Sequence, residues 1–279
     1  MNDFTLEWLA LREPVDHRSR SPRITQAVRD WAQARWSRTG RPLTIVDLGA
    51  GSGSNCRYLA ERLPFPQRWH LVDRDPDLLE AAAERLDRRR SPRGLPTTTV
   101  AIQLHTLDLA VADVGRLVAG ADLVTCSALL DLVSDGWCRR LVEIAARPGH
   151  ALLAALTYDG RMRWAMADAA DAAIVRLVNL HHRSDKGFGP ALGPEALPCF
   201  ESLVAETNGS GVTADSDWVL GPDEAALQAT LLPMWARAAK EMAPQDAQEI
   251  DAWLARRLEA VTTIGSLLAV GHRDEFVTW

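Results

Sequence analysis

The chain has 279 residues, 47% of them apolar, and carries 31 Lys and Arg against 37 Asp and Glu for a net charge of −6. That length suits one large domain, or a domain with a cap, and the acidic balance argues against a broad nucleic-acid footprint. Its four cysteines, Cys56, Cys126, Cys138 and Cys199, form no C-x-x-C pair, and no run resembles a signal peptide or reaches the length of a membrane span; the expectation is a cytoplasmic protein with reduced thiols and no membrane partner.

Residues 1–20 begin with Phe4, Leu6, Trp8, Leu9 and Leu11 and pass at Pro14 into Val15-Asp16-His17-Arg18-Ser19-Arg20. The charge run reads as a solvated turn. Residues 22–37 predict an amphipathic helix with Ile24, Val28, Trp31 and Ala32 on one face, Ser21 as its cap and Pro22 in its first turn. The first strand follows at 43–48, then Gly49-Ala50-Gly51-Ser52-Gly53, then a helix carrying Arg57–Leu63. A strand, a glycine turn and a helix N-terminus let backbone N–H groups approach a ligand closely.

Two ligand classes use that junction. A dinucleotide site wants G-x-G-x-x-G, and Gly49 and Gly51 fit, but the third slot is Ser54. Phased instead as acid-x-Gly-x-Gly-x-Gly, Asp47, Gly49, Gly51 and Gly53 all fit. In that phase the stretch resembles the first motif of class I S-adenosylmethionine (SAM) methyltransferases. The resemblance implies that the turn passes under the methionine part of the cofactor and that Asp47 steadies both the turn and the cofactor's amino group. It also implies that an arginine of the leader, Arg20, folds over the cofactor and pairs with its carboxylate.

Pro64 and Pro66 mark a loop, and the second strand, Trp69–Asp73, ends in an acid followed by Arg74. An acid about 20 residues past a glycine turn suits a ribose, whether of SAM or of NAD; Asp73 and Arg74 are thus assigned to the cofactor. A helix is expected at 77–90 and a third strand at Thr98–His105. The family resemblance places Asp108 and the Leu109 backbone at the adenine, whereas the residues alone equally allow Asp108 to cap a helix at 111–119. The fourth strand, Ala121–Cys126, runs into Ser127, whose backbone would lie near the sulfonium, and on to Asp131, a substrate-side candidate. The Asn/Asp-Pro-Pro-aromatic signature of nucleic-acid amino-methyltransferases is absent, as is the Pro-Cys nucleophile of cytosine C5 enzymes. A helix at 136–146 and a Pro148-Gly149 turn lead into a fifth strand, Ala151–Leu156.

Residues 161–180 then predict a helix, and Leu180–Pro194 gathers His181, His182, Asp185, Lys186, Phe188 and several glycines. Three readings compete: a lid with substrate contacts, an ordered surface turn, or a metal site through His181, His182 and Asp185. No standard zinc spacing is completed, so no metal is assigned. Lys186 and Phe188 are substrate candidates, and His181, His182 and Tyr158 are candidate bases. A helix at 194–208, a strand at Val212–Leu220, helices at 223–242 and 246–262 and a last strand at Ser266–His272 complete the chain.

Strands alternating with helices at this spacing predict a parallel sheet. The resemblance implies an α/β, doubly wound, seven-stranded and mostly parallel sheet of the Rossmann-like methyltransferase fold, with helical insertions after strand five and before the last strand. Residues 1–40 are expected to form a helical leader or cap, and 41–279 the SAM-binding domain with an insertion at about 160–195. The expected activity is methyl transfer from SAM to a small-molecule substrate, by a monomer or homodimer with no nucleic-acid partner. The rivals are an NAD-dependent oxidoreductase and a non-catalytic SAM-binding module.

Overall fold

The computed structural model describes residues 5–89, 100–263 and 266–279. Its strands are β1 (Leu43–Leu48), β2 (Gln67–Asp73), β3 (Val100–Thr106), β4 (Leu123–Ser127), β5 (Ala151–Trp164), β6 (Ser210–Asp215), β7 (Trp218–Leu220) and β8 (Leu268–Thr278). They form one sheet in the order β3-β2-β1-β4-β5-β8-β6, with β7 also pairing β8. The first five are mutually parallel, and β8 lies antiparallel between β5 and β6. The fold is thus the doubly wound, mostly parallel sheet of the Rossmann-like methyltransferase class. The seven strands in the continuous path agree with the expected number, and β7 is an addition to them.

Helices cover both faces. On one side α2 (Pro22–Thr39), α3 (Ser54–Ala60) and α4 (Pro76–Arg89) bury Ile24, Val28, Leu59 and Leu79 against Ile45, Trp69 and Leu71. On the other, α5 (Val114–Val118), α6 (Asp135–Ala145) and α8 (Ala196–Glu206) bury Leu141, Phe200 and Leu203 against Val46, Val124 and Leu152. Both faces of the central strands are therefore apolar, as a parallel sheet requires. Ser21 caps α2 and Pro22 opens it. A third cluster lies beyond the sheet's end. There α7 (Asp171–His182), α9 (Ala225–Met242) and α10 (Ala247–Ala260) pack Val178, Trp235 and Trp253 on the outer parts of β5, β7 and β8.

Several expected boundaries are corrected. The run after Pro14 is not a solvated turn: α1 (Leu6–Ser19) passes through Pro14, with Val15 and Asp16 buried. The hydrogen bond that proline costs a helix is offset by burial and by ion pairs from Glu13 to Arg57 and from Arg12 to Asp16. The helix expected from residue 161 starts at Asp171, because β5 continues to Trp164. Met162 and Trp164 pair with Val270 and Leu268 in a period of two that the following alanines mask as helical. Bulges between Ala154 and Thr157 and between Tyr158 and Met162 bend this strand. The strand expected at Val212–Leu220 is two strands, β6 and β7, and the last strand runs on to Thr278. The helix expected at 111–119 is the shorter α5, capped by Asp113 and not by Asp108. Phe4, Thr98, the end of the Arg88–Arg90 run and the Pro/Gly loop after it lie outside the described residues.

Candidate functional site

The carboxyl ends of β1, β2, β4 and β5 meet where open α/β sheets bind ligands. The turn after β1 places Gly49, Gly51 and Gly53 at φ +67°, +50° and +77°, a conformation that L side chains rarely adopt. The three glycines have different surroundings. A Cβ on Gly53 would stand 2.8 Å from Ala82 Cβ, so this glycine lets α4 pack on the turn. A Cβ on Gly51 would meet only the tip of Leu9 at 3.4 Å, and one on Gly49 only Leu129. Gly49 and Gly51 therefore face the space under α1 and the loop after β4, where a ligand can press on backbone.

Asp47 ends β1 with its side chain buried. Its Oδ1 accepts from Asn55 Nδ2 at 2.8 Å, and Oδ2 has no partner. Burial pushes the Asp47 carboxyl up to about 7, against the opposing effects of the Asn55 bond and the Arg20 charge; the nearby Asp73 adds to the rise. Asn55 also donates to Thr125 Oγ1 and accepts from Arg20 Nη1 at 2.8 Å. Arg20, stacked on Tyr58, reaches Asp274 Oδ2 at 3.2 Å. Asp274 in turn accepts from the amides of Ser21 and Leu156. A buried network thus joins the leader, β1, β5 and β8. Leader contacts continue over the turn: Arg57 donates to both Glu13 oxygens and to the Ser52 carbonyl, and His17 Nε2 lies 3.0 Å from Ser54 Oγ.

Asp73 ends β2. Its carboxylate accepts from the Gly51 amide at 2.8 Å and the Asp75 amide at 3.0 Å, which fixes it beside the glycine turn. Arg74 is exposed. The Leu107 amide bonds the Asp73 carbonyl, so the end of β3 brings Asp108 alongside. Asp108 is exposed and accepts from the Ala110 amide. Leu109 is buried, and its carbonyl accepts from Trp137 Nε1 at 2.8 Å.

On the acceptor side, Ser127 ends β4, and Ala128 follows in the left-handed region at φ 52°, its amide bonded to the Ala155 carbonyl. Leu156, at the same level of β5, also has φ 50°. Asp131 is buried with Oδ1 unpaired, and burial raises its carboxyl to about 6. Thr157 Oγ1 and His182 Nδ1 are likewise buried without a partner. Of the six such side-chain atoms among the described residues, four lie along this edge of the sheet, on Asp47, Asp131, Thr157 and His182. Buried polar groups without partners carry a desolvation cost, and their concentration here marks ligand-facing ground.

The three base candidates separate. Tyr158 donates to Asn179 Oδ1 at 2.7 Å, and burial holds its phenol neutral by pushing its pKa up. That is the reverse of what a base needs. His182 stacks on Tyr158 with ring centroids 4.9 Å apart, and burial lowers its pKa to about 4, which keeps the imidazole neutral. His181 points elsewhere, with Nε2 2.9 Å from Glu241 of α9 and Nδ1 3.4 Å from Lys186 Nζ. Lys186 also donates to Ser184. Asp185 Oδ1 accepts from the Gly187 and Gly189 amides, which makes 185–189 an ordered turn. Phe188 packs edge-on to Trp137 at 5.6 Å, next to Leu109. His181 and Lys186 thus stand together, and Phe188 packs on Trp137. No group of three metal-ligating side chains occurs among the described residues.

The sequence reading missed Asn55, Thr125 and Asp274. It also missed Arg12, Trp218 and His272, which stand near Asp131 and Tyr158. Asn55 had a signal, a polar residue directly behind the glycine motif. Asp274 had none, because its strand was expected to end at His272.

Residues 45–149 match the family model of a methyltransferase domain. No curated protein matches the sequence. Among solved structures, a SAM-dependent methyltransferase from Geobacter sulfurreducens in complex with S-adenosyl-L-homocysteine is 16% identical, covering 100% of this chain and 99% of that one at a TM-score of 0.46. One from Thiobacillus denitrificans, also with S-adenosyl-L-homocysteine, is 15% identical over 99% of each chain, at 0.46. The YcgJ protein of Bacillus subtilis is 12% identical over 89% of this chain and 98% of that one, again at 0.46.

Proposed function

From the SAM-dependent methyltransferase domain that this chain carries, with SAM as its cofactor, we propose that the protein methylates a small molecule. One observation supports that choice above others. Asp131 in the turn after β4, Thr157 and Tyr158 on β5, and His272 on β8 are each less than a tenth exposed. Ground this enclosed suits a compact acceptor and gives no open groove for a duplex or a folded protein. Labelled SAM incubated with the enzyme and separate pools of metabolites, RNA and protein is the test. Label in the metabolite pool supports the reading, and label confined to RNA or protein overturns it.

The residues fit the cofactor on their own chemistry. Asp47 has a buried oxygen without a partner, and an ammonium group would supply its missing counter-charge. Gly49 and Gly51 leave backbone open for the methionine portion, and Arg20, linked to Asp47 through Asn55, would pair with the carboxylate. Asp73 would hold the ribose hydroxyls, with Arg74 at the rim and Asp108 and the Leu109 backbone at the adenine. Ser127 would present backbone near the reacting centre. When bound, SAM supplies an electrophilic methyl group. This chain's own share is to align the acceptor and exclude water, which suits the enclosed ground between the turn after β4 and the outer part of β5. We assign residues 1–40 to a leader that closes over the glycine turn and 41–279 to the catalytic domain.

Asp73→Ala is expected to weaken SAM binding by about 1.5–3 kcal/mol, the range for hydrogen bonds to a charged group. Only two amides depend on this carboxylate among the bonds described, so the fold should survive. Calorimetry checks it, and unchanged affinity removes Asp73 from the site. An NAD-dependent oxidoreductase predicts the same loss for NAD, so both ligands belong in the comparison.

A further inference from the structure

We propose that the methyl acceptor is an amine, bound as its ammonium by Asp131 beside Tyr158, with Asp131 Oδ1 receiving the proton it gives up. This deepens the small-molecule reading and rests on it.

Asp131 follows β4 in the turn Leu130–Leu132, directly past Ser127, and is buried with Oδ1 unpaired. The cation whose charge acts on it is Arg12, which is already occupied. Its Nε and Nη2 grip both oxygens of Asp16, at 2.8 and 3.2 Å, and its guanidinium lies 4.9 Å from the centre of the Trp218 ring. Trp218 Nε1 completes that pair by donating to Asp16 Oδ1. Among the described residues, Asp131 is thus a buried carboxylate with no cation paired to it. Burial raises its carboxyl, which the amides of Asp131 and Tyr158 and the Arg12 charge only partly oppose.

Tyr158, whose amide bonds Asp131, carries a group of aromatic and neutral side chains. Tyr158 meets His182 at 4.9 Å and His272 at 6.0 Å, and Trp218 meets His272 at 4.9 Å. Burial holds both imidazoles neutral. His272 Nδ1 lies 3.0 Å from the Val270 carbonyl, whereas His182 Nδ1 has no partner. An unpaired carboxylate beside aromatic faces recognises a cationic nitrogen, through charge and through ring faces together. An anionic acceptor would face the Asp131 charge, and a hydroxyl would leave that charge without a counter-ion. In the transfer the ammonium gives one proton to Asp131 Oδ1, the atom it is paired with. The freed lone pair forms the nitrogen–methyl bond as the methyl–sulfur bond breaks, its electron pair remaining on sulfur. The products are an N-methylammonium and S-adenosylhomocysteine.

Benzylamine, benzyl alcohol and benzoate, alike in ring and reach, are titrated into wild-type protein saturated with S-adenosylhomocysteine and followed by ligand-observed NMR. The amine is expected to bind at least tenfold tighter than the alcohol, with benzoate weakest. Asp131→Asn should abolish that preference and leave S-adenosylhomocysteine affinity within twofold. The wild-type ranking tests the idea even if the variant folds poorly. Alcohol or carboxylate binding as tightly as the amine overturns the proposal, as does a preference that survives Asp131→Asn or the absence of binding by all three. Failure of S-adenosylhomocysteine itself to bind strikes the methyltransferase reading instead and is recorded separately in the same titration.

Discussion

Asp47→Asn is expected to weaken SAM binding by about 3–5 kcal/mol, the cost of removing one partner from a buried charged pair, while making the unliganded protein more stable. The first effect follows from Oδ2, which is buried, has no partner among the described residues and is the atom assigned to the cofactor's ammonium. The second follows from burial. A carboxyl near 3.8 when unfolded and near 7 when folded binds more protons in the folded state between those values. Stability therefore falls as pH rises from about 4 to 7, and the ionised acid costs about 4 kcal/mol above that window. The neutral amide escapes the cost. The gain in melting temperature should be absent near pH 4 and full at pH 8, and thermal unfolding at the two values checks it. A stabilised protein that has lost its ligand is the pattern of a residue kept for function. Equal stability at both pH values would show that Asp47 finds a counter-charge inside the chain.

Gly51→Val should reduce SAM affinity a thousandfold or more, about 4 kcal/mol, with a smaller loss of unliganded stability. A non-glycine residue at φ +50° costs about 1–3 kcal/mol. Among the described residues, the only close neighbour of a Cβ there is the flexible end of Leu9. The branched side chain would instead occupy the space over the turn. Gly53→Val provides the contrast, because its Cβ runs into Ala82 of α4 and the main loss is expected in folding. Melting curves and calorimetry on the two variants separate them. If Gly51→Val binds SAM normally, the turn is a packing device and the cofactor lies elsewhere.

Much of the cofactor half was legible because it is local. Asp47, the glycines and Asp73 lie at the ends of strands whose apolar runs mark them, and a parallel sheet brings such ends together without further information. The leader was harder. Its charges read as solvated, yet Glu13, Asp16 and His17 find partners in Arg57, Trp218 and Ser54, between 37 and 202 residues away in sequence. Asp274 was invisible for a related reason, since its role depends on β8 returning beside β5. The acceptor side was misread at the same place. The alanine-rich stretch after Leu156 satisfies a helical period, while Met162 and Trp164 answer to a strand partner more than a hundred residues on. His181 and His182, adjacent on α7, diverge to α9 and to Tyr158, as neighbours on a helix do.

The most direct test is a calorimetric titration of S-adenosylhomocysteine into the wild-type protein at pH 7, run in two buffers of different ionisation enthalpy. Burial raises the Asp47 carboxyl in the free protein, and binding its ammonium should drive the carboxyl to the ionised form. The account predicts one site per chain and a net release of protons. No binding, or saturable binding with no proton released, would contradict it.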